Sequence, residues 1–202
     1  MRSGAIAPNE FISIAGAGLG PATGVASAAP VTSLAGTKVY IGGAPVPLAW
    51  SQAGQINALV PWEVAGSQTT IQVEFNSVKG NTITVPVAAS SPGIFTQAYG
   101  PGQAWIVNQD LSFNSNADPA PRNSYVALWL TGQGLVDISQ QNGVQPTGPP
   151  FPTPLLPVSI SLGNVPLPAS NLVFKGLVYS GVLQLNLLLP DTAQPAALCP
   201  WW

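Results

Sequence analysis

Period-two alternation of apolar and polar residues is the clearest pattern along the chain. Apolar side chains occupy every second position in residues 70–75 and again in residues 82–87, with turn residues 76–80 between them. Strict alternation is typical of a strand with one buried face, and two such strands around a turn predict a hairpin. Shorter strands, each followed by turn residues, are predicted at residues 11–15, 38–41, 46–50, 55–60 and 125–131.

Three strings from the first part of the chain recur in the second part. The matched pairs are ISIAGAGLG at 12–20 with LWLTGQGLV at 128–136, VYIGGAPVPL at 39–48 with ISLGNVPLPA at 160–169, and GQINALVP at 54–61 with VLQLNLLLP at 182–190. The offset between matched positions grows from 116 to 121 and then to 129. Because the offset grows slowly, the second copy has the same strands joined by longer loops.

The sequence therefore predicts an all-β fold of two tandem immunoglobulin-like β-sandwich units joined by a β-hairpin linker. We place the first unit at residues 1–90, the hairpin and linker at 91–123 and the second unit at 124–202. After Pro190 the second unit has no alternating segment, so it lacks counterparts of the two clearest strands. This absence predicts an unpaired strand edge. We expect another chain, or another part of this one, to cover it, and a homodimer through that edge is one such arrangement.

Amide side chains recur at matched positions of the two units. Gln55 and Asn57 correspond to Gln184 and Asn186, and in both strands they alternate with apolar residues. Because the same amides return on the same face of equivalent strands, we interpret them as a structural hydrogen-bond network that pairs loop backbone groups, with ligand binding as the alternative.

Charge is scarce in this sequence: 5 Lys and Arg and 7 Asp and Glu make up 6% of the 202 residues, against about 25% in an average protein. Five scattered cations cannot neutralise a phosphate backbone, so we expect no nucleic-acid binding. No apolar run approaches the ~20 residues of a membrane-spanning helix, so we expect no membrane insertion. Low charge with abundant Ser, Thr, Asn and Gln suits a protein that is extracellular or at the cell surface.

The inventory of reactive side chains restricts the chemistry further. The chain has no histidine and a single cysteine, Cys199. Ser-His-Asp and Cys-His catalysis are therefore excluded, as are histidine-ligated metals and an internal disulfide. We expect no metal site and no cofactor. Whether the chain is an enzyme stays open at this point, and we favour a non-catalytic protein.

An enzyme of this composition would depend on carboxyl groups, as glycoside hydrolases do. The candidate catalytic carboxyl groups are Glu63, Glu74, Asp110, Asp118 and Asp137. None of them lies in a recognisable motif, and we expect solvated or turn-forming roles for them. Oxygen-bearing side chains at every second position of residues 108–118 could also form a calcium loop, although a strand hairpin there produces the same spacing.

Tryptophan is the most suggestive functional resource, because a flat aromatic ring can stack on a sugar without any charge. The candidate ligand-binding residues are Trp50, Trp62 and Trp105, near strand ends or loops, and the terminal pair Trp201 and Trp202. Trp129 lies inside a predicted strand, where we expect it in the core.

Four strings together resemble the uncharacterised Solibacter-type C-terminal domain family of acidobacterial secreted and surface proteins. They are GAIAPNEFISIAGAGLGPAT, LAGTKVYIGGAPVPLAWSQAGQINALVPWEVAG, TVPVAASSPGIF and GQAWIVNQDLSFNSNADPAPRNS. The resemblance covers most of residues 4–190 and implies immunoglobulin-like or IPT/TIG-like domains attached to other extracellular modules, with no established catalytic residues. The sequence departs from the family pattern at residues 191–202, and it has Leu111 where the hairpin usually has glycine.

Three functions remain open from the sequence. The first is a non-catalytic extracellular module that mediates interaction or attachment for a larger secreted protein, with a protein or a polysaccharide as its partner. The second is a carbohydrate-binding module that uses exposed tryptophans. The third is a histidine-free glycoside hydrolase that uses a carboxylate pair.

Overall fold

The computed structural model describes residues 4–97 and 102–193. In these residues strands are the dominant elements, and the only helical turn is a 3-10 turn at Ala169–Asn171. Every strand pairing is antiparallel, apart from an isolated parallel bridge between Ile6 and Val87. The prediction of an all-β fold is therefore confirmed.

Two four-stranded sheets form the N-terminal half of the molecule. In spatial order, the first sheet consists of β1 (Phe11–Ala15), β6 (Gln55–Leu59), β5 (Leu48–Gln52) and β2 (Val25–Val31). The second sheet consists, again in spatial order, of β4 (Ala44–Pro45), β3 (Thr37–Ile41), β7 (Gln68–Phe75) and β8 (Val78–Pro86). The strands predicted at 70–75 and 82–87 are thus neighbours in one sheet.

The core of the N-terminal half draws on both of its sheets. Ile56 and Ala58 of β6 are fully buried, and so are Val39 and Ile41 of β3. In β6 these apolar residues alternate with amides, so one face of the strand points into the core and the other points outward. The two sheets therefore pack face to face as a β-sandwich.

The C-terminal half has one large sheet and a small hairpin. In spatial order the sheet consists of β10 (Ile106–Asn108), β11 (Tyr125–Thr131), β15 (Val182–Leu188) and β14 (Leu172–Tyr179), and β9 (Gly93–Ile94) also pairs with β11. The hairpin consists of β12 (Ser161–Leu162) and β13 (Val165–Pro166). Leucines of β11 and β15 form the core of this half, namely Leu128, Leu130, Leu183, Leu185 and Leu187.

The small hairpin has the same register as its counterpart in the N-terminal half. Ser161 pairs with Pro166, as Tyr40 pairs with Pro45 at positions 121 residues earlier. The sequence repeat thus corresponds to equal strand pairing at this place, although the division into two tandem immunoglobulin-like units stays a prediction.

Side chains of one half also bond to the other half. The backbone N–H of Phe11 donates to the Thr131 hydroxyl across 2.7 Å. Asn142 accepts from the Trp62 backbone N–H across 2.8 Å and donates to the Glu63 carboxylate across 2.8 Å. The halves are therefore joined by direct hydrogen bonds as well as by the chain between them.

Two features differ from what the sequence pattern indicates. Strand β2 was not predicted, because Val25–Val31 is mostly Ala, Ser and Pro, and it forms an exposed edge strand in which a large apolar face is not needed. The expectation that Trp129 belongs to the core is wrong. It alternates with the buried Leu128 and Leu130, so its half-buried ring lies on the outer face of the sheet.

Candidate functional site

An unpaired edge of β12 is the most distinctive feature of the C-terminal half. In the N-terminal half β3 lies between two strands: it pairs with β4 on one side and with β7 on the other. β12 pairs with β13 on one side, and no described residue pairs with its other side. We call residues 158–162 on this free side the open edge.

Hydrogen bonds on the paired side show which backbone groups face the open edge. The Ile160 carbonyl accepts from the Leu167 N–H across 2.8 Å, as the Val39 carbonyl accepts from the Val46 N–H across 2.9 Å. Because bonding direction alternates along an antiparallel strand, the N–H and carbonyl of Ser161 point the other way. They therefore face the open edge.

Apolar side chains behind the open edge are less covered than their counterparts. Val39 and Val46 have no exposed surface, whereas Ile160 and Leu167, 121 positions later, are half-buried. A cavity of about 100 Å³ lies beside them. Its lining is mainly apolar and includes Val158, Ile160, Leu167, Leu172 and Leu187. The C-terminal half thus has a partly exposed apolar face at the position where the corresponding face of the N-terminal half is fully buried.

No charged residue protects this part of the surface. Residues 138–174 contain no Lys, Arg, Asp or Glu. Instead Leu155, Leu156 and Val165 are exposed there. Charged side chains, above all lysines, are a usual means of preventing a sheet edge from pairing with other strands. The open edge lacks that protection.

A second candidate surface is the hairpin at residues 103–114, which we call the aromatic hairpin. Trp105 is 44% exposed and Phe113 is 52% exposed, and their rings meet edge to face with centroids 5.5 Å apart. Leu111 takes a φ of +71° in the turn, the region that the glycine expected from the family resemblance adopts most readily. Phe113 was not among the predicted site residues. Its place on the facing strand of the predicted hairpin could have identified it as a neighbour of Trp105.

The polar side chains of the aromatic hairpin bond mainly to one another. Asn108 donates to the Ser112 hydroxyl across 3.1 Å and accepts from the Asn114 amide across 2.9 Å. The Asp110 carboxylate accepts from the N–H and the hydroxyl of Ser112, and these bonds lower its pKa. Four of the residues suspected of binding calcium therefore already serve as hydrogen-bond partners within the hairpin, namely Asn108, Asp110, Ser112 and Asn114. Beside them lies an open cleft of about 360 Å³.

The described residues show no metal centre and no membrane-spanning helix. No group of three or more His, Cys, Asp or Glu side chains in residues 4–97 and 102–193 is placed to hold a metal ion. Within the same residues, no helix has the length and apolar character needed to cross a bilayer.

The other candidate tryptophans are less exposed than Trp105. Trp50 is half-buried, with its ring lying against Gly24. Trp62 is half-buried as well, and its indole Nε1 is buried with no hydrogen-bond partner among the described residues. Trp201 and Trp202 lie outside the described residues. Neither Trp50 nor Trp62 makes a described ring contact with Trp105, whose aromatic neighbour is Phe113.

The candidate carboxyl groups are separately engaged by their own neighbours. Glu74 accepts from Lys38 across 3.3 Å and from the Tyr40 hydroxyl across 3.1 Å. Asp137 accepts from the N–H and the hydroxyl of Thr153 across 2.7 and 2.8 Å. Glu63 is bonded to Asn142, and Asp118 lies exposed in a turn. No described contact joins two of these carboxyl groups.

The pKa shifts do not suit an acid catalyst. The Lys38 ammonium holds the pKa of Glu74 below its ordinary value despite partial desolvation, with Tyr40 adding to the effect. The backbone N–H and hydroxyl of Thr153 lower the pKa of Asp137 in the same way. The proton donor of a glycoside hydrolase needs a raised pKa. Lowered values fit carboxylates that stay ionised in structural hydrogen bonds.

The recurring amides form the same contact in both halves. Gln55 donates to Asn57 across 2.8 Å, and Gln184 donates to Asn186 across 2.8 Å. In the N-terminal half Ser13 of the neighbouring strand also donates to Asn57. The amides are hydrogen-bonded as expected, but they form a side-chain pair along one strand on the outer face of each sheet instead of bonding to loop backbone groups.

Compared with protein-family models, curated proteins and solved structures, the chain matches none of them. The family resemblance drawn from the four sequence strings therefore stays a prediction.

A structural role for Glu74 has a testable pH dependence. Because the folded protein favours the ionised carboxylate, this contribution to stability is present above the ordinary pKa of 4.5 and is lost as pH falls through the lower pKa of the folded state. We expect Glu74→Gln to lower the melting temperature at pH 7, with a gap to the parent protein that closes towards pH 3. Thermal melts across this range measure it. Asp191→Asn, at an exposed carboxyl, is the control for lost charge, and a constant gap would contradict the assignment.

Proposed function

We propose that the chain is a non-catalytic interaction or attachment module of a larger extracellular protein. The observation that carries the proposal is the incompletely covered apolar face behind the open edge. Ile160 and Leu167 are half-buried there, beside an apolar cavity of about 100 Å³. A partner that covered this face would remove apolar surface from water, which contributes roughly 25 cal/mol per Å².

The carboxyl groups support a non-catalytic role. Glu74 and Asp137 are ionised and hydrogen-bonded within their own half. Neither offers the protonated carboxyl that glycoside hydrolysis requires. The hydrolase hypothesis therefore gains no specific observation in its favour.

The extracellular location is supported by the sequence alone. Only 6% of the residues are charged, and the resembled family is secreted or held at the cell surface. A module that works through an apolar face needs few charges, because desolvating charged groups opposes association.

Dye binding tests whether the apolar face is accessible in the folded protein. We expect anilinonaphthalene sulfonate to gain fluorescence on binding the native protein, because exposed apolar clefts bind this dye. Ile160→Asn should remove most of the gain, since it places a polar amide in the face. Val78→Asn is the matched control, because Val78 is 72% exposed at the start of β8 in the other half. A folded protein that leaves the dye dark would contradict the proposal, because the face would then be covered.

Carbohydrate binding is the second candidate, and the aromatic hairpin favours it. Trp105 and Phe113 present two exposed rings in contact, with the open cleft of Asn108, Gln109 and Asp110 in the same hairpin. An exposed aromatic ring can stack on the face of a sugar without any charge. A polysaccharide would occupy this surface without needing the open edge.

Affinity electrophoresis in gels that contain soluble polysaccharides tests this second candidate. We expect retardation on at least one polysaccharide, weakened about tenfold by Trp105→Ala through the loss of stacking area. Val78→Ala removes an exposed apolar side chain in the other half and should leave the retardation unchanged. Equal retardation of the Trp105→Ala variant would exclude the hairpin as the sugar site.

A further inference from the structure

We propose that the open edge binds an extended strand of another polypeptide, which takes the position that β7 occupies in the N-terminal half. The incoming strand runs antiparallel to β12 and carries uncharged aliphatic side chains at two alternate positions, opposite Ile160 and Leu162. This inference rests on the proposed interaction function and names the kind of partner and its register.

The N-terminal half provides the template for the register. There Val39 pairs with Val73, and Ile41 pairs with Ile71. Residues 121 positions after Val39 and Ile41 are Ile160 and Leu162, which belong to the hairpin with the same register as β3 and β4. A strand placed on the open edge in the same way brings two of its alternate residues opposite them.

The backbone of the open edge can bind such a strand. The N–H of Gly42 donates to the Thr70 carbonyl of β7 across 2.9 Å. The direction of the backbone hydrogen bonds repeats at every second residue of an antiparallel strand. The backbone N–H and carbonyl of Tyr40 therefore face β7 as well. Ser161 stands in the place of Tyr40, and its N–H and carbonyl are turned to the free side. Main-chain bonds of this kind give strand addition its affinity, while pockets for alternate side chains give its specificity.

The side chains around the open edge select an uncharged aliphatic strand. Val39 and Ile41 of β3 are buried between the two sheets, β7 covers the side of β3 that faces away from β4, and Ile71 of β7 is itself 5% exposed. Ile160 and Leu162 remain half-buried without that cover. Since residues 138–174 carry no charge, a charged residue facing inward on the partner would find no ion-pair partner among them and would lose solvation.

A second copy of this chain is a poorer source of the incoming strand than a separate polypeptide. Its β7 already pairs with β3 and β8 in its own N-terminal half, so donating β7 would uncover the core there. What remains is the second copy's own open edge, in which β12 spans only Ser161–Leu162. Two such short strands would pair over few residues and would not supply the β7 position.

The experiment uses the full chain and a labelled synthetic peptide with the sequence of residues 68–86, which includes β7 and β8. We expect saturable one-to-one binding in fluorescence anisotropy. Ser161→Pro removes the N–H that faces the open edge but leaves the bonds to β13 in place. It should weaken binding at least about tenfold, whereas Ser161→Ala keeps the N–H and should bind as the parent does.

A control peptide distinguishes recognition of the aliphatic side chains from non-specific binding. The same peptide with Ile71→Asn and Val73→Asn should bind at least about tenfold more weakly, because its aliphatic positions are lost. Binding of the parent peptide that Ser161→Pro leaves unchanged would overturn the proposal, since the peptide would then lie elsewhere, for instance in place of the chain's own β7.

Two further results distinguish the failure of this inference from the failure of the proposed function. A face that accepts the dye but not the peptide overturns strand addition and leaves the interaction function standing. A parent protein that sediments as a dimer, while Ser161→Pro sediments as a monomer, assigns the open edge to a second copy and overturns the separate donor. A monomer that binds neither dye nor peptide contradicts both.

Discussion

A β-sheet with one apolar face is stable only when another layer covers that face, and this constraint organises the whole molecule. In the N-terminal half the cover is a second four-stranded sheet, and Val39 and Ile56 from the two sheets belong to one core. In the C-terminal half no second large sheet among the described residues covers the leucines of β11 and β15, which pack against the short hairpin of β12 and β13 and its flanking segments. The half-buried side chains, the apolar cavity and the open edge all follow from that difference.

The outer faces of the two halves are polar, unlike the apolar faces that form the two cores. On both, a Gln and an Asn two residues apart along one strand bond to each other across 2.8 Å, although their sequence contexts differ. The amides satisfy one another there and need no ionic partner. A chain with 6% charged residues can therefore remain polar on its outer faces while leaving one apolar face for a partner.

Alternation of apolar and polar residues predicted the strands that have one buried face and one exposed face. Ile71 in β7 and Ile56 in β6 lie in the core, as the period of two requires. The same rule applied to Trp129 would have placed it outward, because it stands between Leu128 and Leu130. The position of Trp129 inside a predicted strand led to the wrong expectation, because a strand has an outer face as well as an inner one. Edge strand β2 lacked the signal altogether, since an exposed edge needs no apolar face.

Parts of the candidate site depend on contacts between residues that are far apart in the sequence. The open edge was expected because the residues that follow Pro190 show no alternating pattern. The backbone N–H of Trp62 donates to Asn142, which is 80 residues away, and no local pattern encodes that contact. Glu74 was expected on a polar face. Lys38 and Tyr40 on the neighbouring strand enclose it there, and a register shift between Gln72 and Glu74 changes the local pairing with β8.

Amide hydrogen exchange at matched positions of the two halves tests the open edge most directly. Tyr40 faces β7, whereas Ser161, 121 residues later, faces the free side of β12. In the monomeric protein we expect the Tyr40 amide to be protected and the Ser161 amide to exchange at least about a hundred times faster, as unpaired backbone groups do. Equal protection of the two amides would mean that a strand already covers β12, and it would contradict the existence of an open edge.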